Sequence, residues 1–362
     1  MATAAEPDPS TDPGWQPARI LVTRAAMGFA HGRRIAETAA ARGIEVVELS
    51  GDRLILNLPE DPRRAYVAAK RTLAVVVAPP SKRRLQPIAP SADWRMDLAE
   101  GCPAHCSYCY LAGSLKGPPI TRAYANLEEI FDALPGYLGA GTITSRSRDR
   151  EHEGTTFEAS CYTDPLALEP ITGSLSAAIR YFSAWEAPVQ LRFTSKFADV
   201  APLLSIAHGG RTRMRASVNP GAFARFEGGT APVAARLAAL RRMALAGYPV
   251  GLTIAPIIAA AGWQAAYGGL IEDAAAALAE ISALDLSIEL ITHRFTPGSK
   301  AVLESWYPGS ALDMSEVNRT TKRTKFGSEK QVYDAATMRA LRDFFEARIA
   351  AELPAARILY WT

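Results

Sequence analysis

Three of the four cysteines in this 362-residue chain crowd into one short loop, as Cys102, Cys106 and Cys109, and the fourth, Cys161, stands alone after an apolar stretch. A Cys-x-x-x-Cys-x-x-Cys loop offers three thiolates to a four-iron, four-sulfur cube. Such cubes usually take four cysteine ligands, so one iron keeps an open position. A small molecule with both an amine and a carboxylate can chelate that iron, and S-adenosylmethionine is the cofactor of this kind for radical chemistry. The competing solution is structural zinc, closed by Cys161 or His105 as fourth ligand, although paired Cys-x-x-Cys knuckles are its usual signature. A disulfide framework fits poorly, because the chain shows no secretory segment and is too large to need stapling. The expectation is a radical enzyme of the cytoplasm.

At 48% hydrophobic residues the chain can bury a substantial core, as one large domain with a smaller one. No apolar run reaches membrane-spanning length. A formal charge of +3 means that attraction to a polyanion must come from local patches. Residues 1–17, with Pro7, Pro9, Pro13 and Pro17 among small and acidic residues, read as a disordered leader. Residues 18–85 then read as an N-terminal α/β unit, with strands at Ile20 to Thr23, Glu45 to Leu49 and Leu73 to Val77 and a helix from Gly32 to Arg42. Strands alternating with helices imply parallel pairing. Pro79, Pro80 and the run Lys82 to Arg84 suggest a linker.

Over residues 86–300 the alternation resumes with longer helices. The strand candidates are Met96 to Leu98, Thr155 to Ser160, Val189 to Thr194, Arg213 to Val218, Val250 to Pro256 and Ser287 to Thr292. The fold class expected is α/β: a partial (β/α)6 TIM-like barrel with a small Rossmann-like N-terminal layer. Residues 301–362 add a C-terminal β-hairpin, a final helix and a strand. In such barrels working residues gather at the carboxyl ends of strands. The cysteine loop, Cys161, Lys196 and Ser217 all follow or end expected strands. Arg211, Arg213 and Arg215 alternate along one strand and should share a face, meeting either phosphates or acidic groups across the barrel.

The stretch Gly101 to Leu111, with its three cysteines, resembles the cluster loop of the spore photoproduct lyases, radical enzymes that repair a thymine dimer in DNA. Further similar stretches are Phe157 to Cys161, Arg192 to Lys196, Gly247 to Gly251 with Ile254 to Ile257, His293 to Thr296, and Lys325 to Tyr333. They run in family order over about residues 18 to 362. The resemblance implies that Cys102, Cys106 and Cys109 hold a 4Fe-4S cluster that cleaves S-adenosylmethionine. The 5′-deoxyadenosyl radical then takes hydrogen from C6 of the saturated thymine in 5-thyminyl-5,6-dihydrothymine, and the methylene bridge breaks. Cys161 gives hydrogen to the product radical, for which a weak S–H bond is suited, and Tyr108 and Tyr110 form the relay that regenerates the cofactor. Lys196 and Ser217 match positions that hold the methionyl carboxylate, with Thr163 a softer candidate. Otherwise a lone cysteine reads as a small core hydrophobe, and the tyrosines as packing.

The same resemblance makes damaged DNA the partner, with an electron donor of the flavodoxin or ferredoxin type, no membrane, and a monomeric state. Lys322, Arg323, Lys325 and Phe326 fall in the segment that resembles a lesion-wedging hairpin. Two positions depart from the family pattern. Lys325-Phe326 replaces Arg-Tyr, losing a bidentate guanidinium fork, and bulky Tyr162 follows Cys161 where a smaller hydroxyl residue is common. These departures keep open a related radical enzyme acting on another damaged base or on RNA. A zinc-stabilised nucleic-acid-binding module without catalysis is the third reading.

Overall fold

The apolar run that begins at Ile20 forms a strand, Arg19–Val22, whose last three residues are buried, as an inner strand of a mostly parallel layer. The computed structural model describes residues 14–114, 117–148, 150–317, 319–323 and 329–362. In this first sheet Glu45–Glu48 and Thr72–Val76 flank Arg19–Val22 in parallel, and Thr121–Tyr124 adds parallel to Thr72–Val76. The short strand Ala99–Glu100 closes the edge antiparallel. The helix Ala30–Ala41 covers the layer through Ile35, Ala36 and Ala39. The sheet thus takes in strands from beyond residue 85, and the two units interleave.

The second sheet has eight strands in the order Arg357–Trp361, Leu286–Thr292, Val250–Ile257, Thr212–Val218, Val189–Ser195, Thr155–Ala159, Ala92–Met96 and Gln86–Ile88. Every neighbouring pair is parallel except the last, and the sheet curls into an open, partial TIM-like barrel. Five of the six expected barrel strands lie within a residue or two of their expected bounds, each carrying apolar residues at alternate positions. The sixth, expected at Met96 to Leu98, lies earlier, at Ala92–Met96. The final strand Arg357–Trp361 joins the barrel beside Leu286–Thr292 and adds a seventh parallel member to the expected six. Helices Val233–Leu245 and Trp263–Leu278 return the chain between successive parallel strands, their alanines allowing close packing.

Two sequence expectations change. The Pro79 to Arg84 stretch is a helical turn, Pro80–Arg83, held by ion pairs from Lys82 to Glu100 and Arg83 to Glu129, so it is no loose linker. The expected leader lies outside the described residues up to position 13, whereas Trp15 within it packs on the core and donates its indole N–H to the Lys70 carbonyl at 3.3 Å. Arg213 and Arg215 are buried and meet acidic groups: Asp285 for Arg213, Glu158 and Glu289 for Arg215. This settles the arginine strand in favour of internal ion pairs. Among the described residues no helix is long and apolar enough to cross a membrane.

Candidate active site

The cysteine loop starts at Gly101, where φ is +75° and a Cβ would sit 2.2 Å from the Ile120 carbonyl oxygen, so only glycine fits. Beyond it, the ammonium of buried Lys70 donates to the carbonyls of Cys102 at 2.8 Å and Ala104 at 2.6 Å. A short antiparallel bridge pairs His105–Cys106 with Glu227–Gly228. The loop thus presents Cys102, Cys106 and Cys109 to a cavity of about 380 Å³, which Tyr108, Cys161, Thr163, Lys196 and Ser217 also line. That volume is in the range of small-molecule sites.

Burial pushes the Cys102 and Cys106 thiols up to about 12, so each must lose its proton when a metal binds. Three soft thiols from one loop, beside a buried Thr163 hydroxyl that has no hydrogen-bond partner among the described residues, are a donor set suited to an iron-sulfur group with a polar cofactor next to it. Among the described residues no group of three or more His, Cys, Asp and Glu side chains converges as the ligands of a single ion do. His105, the alternative fourth zinc ligand, has its Nδ1 within 3.1 Å of the Tyr66 hydroxyl.

Cys161 follows the buried strand Thr155–Ala159 through Ser160, whose φ of +55° is left-handed and uncommon for a residue with a Cβ. Ser160 is locked there by its own N–H to the Met96 carbonyl at 2.7 Å and by its hydroxyl, which accepts from the Leu98 N–H at 2.8 Å. The sharp turn ends the strand and delivers Cys161 to the cavity wall. Burial, with Asp97 adding and Arg95 opposing, pushes the Cys161 thiol well above its ordinary value, so it stays protonated. Arg95 pairs with Asp97 at 3.3 Å and lies 4.4 Å from the Tyr162 ring centre. Sequence reasoning singled out neither Arg95 nor Asp97. Asp164 is structural: its carboxylate accepts from the Lys196 N–H at 2.7 Å, the Ser195 hydroxyl at 2.8 Å and the Ala167 N–H at 3.3 Å.

Lys196 does not stand free. Its ammonium donates to Glu227 at 2.8 Å and to the Ala255 carbonyl at 3.3 Å, leaving one of its three N–H donors for a ligand. Glu227 also pairs with Arg236 at 2.7 Å and accepts from the Tyr108 hydroxyl and from Asn219. Burial works against its charge, but Lys196 and Arg236 hold its carboxyl down to about 2. Sequence reasoning missed Glu227, which carries no local signal and reaches Lys196 only through the tertiary fold. Tyr108 is buried beneath the Lys196 ammonium, 5.5 Å from its ring centre. Tyr110 is not among the described residues that line the cavity; the Arg294 guanidinium lies 5.3 Å from its ring centre. His293 has a structural setting, with Arg319 donating to its carbonyl at 2.7 Å.

Lys322 and Arg323 are exposed on the hairpin of Arg319–Arg323 with Glu329–Tyr333. Lys322 stands opposite Lys330 in its register. Lys325 and Phe326 lie outside the described residues.

Comparison with known proteins agrees with this geometry. The sequence model of the family described as spore photoproduct lyase matches residues 15–362. The chain is 34% identical over 348 residues to a spore photoproduct lyase of Bacillus subtilis (strain 168), covering 96% of this chain and 98% of that protein. With a spore photoproduct lyase of Geobacillus sp. (strain Y412MC61) it shares 36% over 339 residues, covering 93% and 96% respectively. A solved mutant spore photoproduct lyase with bound AdoMet and dinucleoside spore photoproduct superposes with a TM-score of 0.88 at 34% identity, covering 96% of this chain and 100% of that one. A spore photoproduct lyase complexed with dinucleoside spore photoproduct gives the same values. The chain belongs to the spore photoproduct lyase family.

Proposed function

We propose that this chain is a radical S-adenosylmethionine lyase that returns spore photoproduct in DNA to two thymines. The observation that carries the reading is the placement of Cys161 on the same cavity as Cys102, Cys106 and Cys109. When bound, a 4Fe-4S cluster and S-adenosylmethionine supply the carbon radical that removes hydrogen from C6 of the saturated thymine. Cys102, Cys106 and Cys109 would hold the cluster. Thr163, Lys196 and Ser217 would meet the polar groups of the cofactor, the one spare donor of Lys196 serving a carboxylate while Glu227 anchors the other side of its ammonium.

Cys161 keeps its hydrogen because burial and Asp97 oppose ionisation, and it gives that hydrogen atom, not a proton, to the thymine methylene radical. The sulfur radical left behind recovers hydrogen from the pair Tyr110 and Tyr108. The Tyr108 hydroxyl is oriented by the Glu227 carboxylate, which stays charged and fixes its direction. A lesion must leave the base stack to reach this cavity, which costs least where damage has already weakened pairing.

Lys322, Arg323, Lys325 and Phe326 form the DNA contact in this reading. Support comes from Lys322 and Lys330, like charges placed opposite each other, an arrangement that a phosphate relieves. The enzyme works as a cytoplasmic monomer with none of its four cysteines in a disulfide, and takes its electrons from a flavodoxin or ferredoxin type carrier. Tyr162, set against Arg95, gives this wall of the cavity a ring and favours testing other lesions beside spore photoproduct.

The test is anaerobic reconstitution with an oligonucleotide carrying spore photoproduct. Wild type should release thymine pairs. Cys161→Ala should still cleave S-adenosylmethionine but divert the thymine radical into adducts, and ordinary product in ordinary yield from that variant would overturn the role of Cys161.

A further inference from the structure

Behind the cysteine loop, away from the cavity, helix Pro62–Lys70 carries Arg63, Tyr66 and Lys70 at spacings of three and four residues, which stack on one face. The inner end of that face is bound to the loop. Lys70 holds the carbonyls of Cys102 and Ala104, and the Tyr66 hydroxyl reaches His105 Nδ1 at 3.1 Å. Tyr66 is also the hub of a partly exposed aromatic cluster. Its ring centre is 5.2 Å from Trp306, 5.8 Å from His105 and 5.8 Å from Tyr307, with whose hydroxyl it shares a hydrogen bond. His105 precedes Cys106 directly, so this cluster runs from the surface to the ligand loop.

Along its length the same helix borders a surface depression of about 460 Å³ lined by Arg19, Arg63, Arg64 and Arg71 around Val67, which is 51% exposed. Glu45 is the one acidic side chain in that lining. Among the described residues, none of the four arginines is in a salt bridge. Arg19 is turned inward to the Leu56 carbonyl and Thr72, whereas Arg63, Arg64 and Arg71 are exposed. Asp61, the nearest acid along the chain, caps the helix by accepting from the Arg64 N–H at 2.8 Å. An exposed apolar side chain ringed by unpaired arginines is suited to an acidic protein surface.

We propose that this face docks the electron donor: an acidic carrier protein holding a one-electron group such as a reduced flavin or a small iron-sulfur centre. The proposal rests on the function proposed above. One electron leaves the carrier, which is oxidised by one, and passes by the Tyr66, His105, Trp306 and Tyr307 cluster to the group held by Cys102, Cys106 and Cys109, which is reduced by one. No bond is made or broken and no proton is exchanged. DNA is the other polyanion that arginines attract. The depression shares no lining residue with the cavity that holds Cys161, where the lesion must arrive, and this favours the carrier.

The test uses the anaerobic holoenzyme and a dye-labelled acidic flavodoxin, with binding followed by fluorescence anisotropy over a range of salt. Charge reversal in Arg63→Glu with Arg64→Glu should raise the flavodoxin Kd about tenfold and flatten its salt dependence, as loss of complementary surface charge does. Affinity for a lesion-bearing duplex and the rate of S-adenosylmethionine cleavage driven by dithionite should match wild type. The neutral pair Arg63→Gln with Arg64→Gln should give a smaller rise in the same direction and serves where the reversal fails to fold. An unchanged flavodoxin Kd in both variants, or no flavodoxin binding by wild type, would overturn the proposal. Weakened duplex binding with unchanged flavodoxin binding would assign the patch to DNA instead. Failure of dithionite-driven cleavage in wild type would strike the proposed function, and flavodoxin binding would still be readable separately.

Discussion

Arg215 lies on the cavity wall between two buried carboxylates, Glu158 and Glu289, both within direct ion-pair contact, and it donates to the Ser91 hydroxyl at 2.6 Å. Replacing it by Met keeps most of the unbranched stem of the side chain and removes the cation. The site would change from two negative charges around one positive to two negative charges alone, out of water. Burial already raises the Glu158 carboxyl, with Arg215 opposing and Glu289 adding, so without Arg215 it must rise further and take up a proton. Protonating a carboxyl of ordinary pKa near 4.3 costs about 5 kcal/mol at pH 8 and about 1 kcal/mol at pH 5, at roughly 1.4 kcal/mol per pH unit. A carboxyl whose folded pKa lies above its unfolded one contributes its stability in acid, and loses it as pH rises through the folded value. The variant should therefore be destabilised by roughly 3–5 kcal/mol at pH 8, the usual cost of breaking a buried pair. At pH 5 the deficit should shrink by up to about 4 kcal/mol. Urea denaturation of the metal-free wild type and variant at both pH values, read by tryptophan fluorescence, measures the difference. An equal deficit at pH 5 and pH 8 would refute the argument, since it would mean that no proton replaces the guanidinium.

Three further outcomes are expected. Thr163→Val removes a hydroxyl that has no partner among the described residues, so stability should change by less than about 1 kcal/mol, while S-adenosylmethionine binding measured by calorimetry should weaken about tenfold if the hydroxyl meets a charged group of the cofactor. Tyr108→Phe leaves Glu227 accepting from Lys196 and Asn219, so the melting curve should shift little, at a cost of about 1 kcal/mol. The number of cofactor molecules consumed per dimer repaired should rise. Lys325→Ala should weaken duplex binding and lower the slope of log affinity against log salt by about 0.9, and an unchanged slope would mean that Lys325 meets no phosphate.

What the sequence made legible follows from which interactions are local. Val189–Ser195, Thr212–Val218 and Leu286–Thr292 were readable because their apolar residues recur at alternate positions, Leu191 and Phe193, Met214 and Ala216, Ile288 and Leu290, with polar residues between them. The strand Arg357–Trp361 was seen as a strand but not as a barrel member, since its half-buried residues carry no mark of the edge they join. The cysteine loop was legible because three thiols at that spacing are a metal-binding donor set, whereas Cys161 was singled out through the family resemblance of Phe157 to Cys161; the structure puts all four on one cavity. Glu227 was not legible, because its meaning comes from Lys196, Arg236 and Tyr108, which meet it only in space.

In the proposed function one thiol must stay neutral beside three that ionise to hold a metal. All four cysteines have the same intrinsic chemistry, and burial raises Cys102, Cys106 and Cys161 alike. What separates them is backbone and charge. The cluster cysteines sit on a loop whose carbonyls are gripped by Lys70, and Lys70 and Lys196 favour the thiolates of Cys102 and Cys106 respectively. Cys161 hangs from the left-handed Ser160 with Asp97 as the strongest charge acting on it, which favours the thiol. In the proposed function, Lys70 and Lys196 would ease ionisation of Cys102 and Cys106 for metal, against Asp164 and Glu227, while Asp97 would hold the hydrogen on Cys161 for transfer, against Arg95. On this argument Asp97→Asn should lower the pH at which Cys161 is alkylated by iodoacetamide in the metal-free protein with Cys102, Cys106 and Cys109 replaced by alanine. An unshifted alkylation profile would show that burial alone keeps the hydrogen on that sulfur.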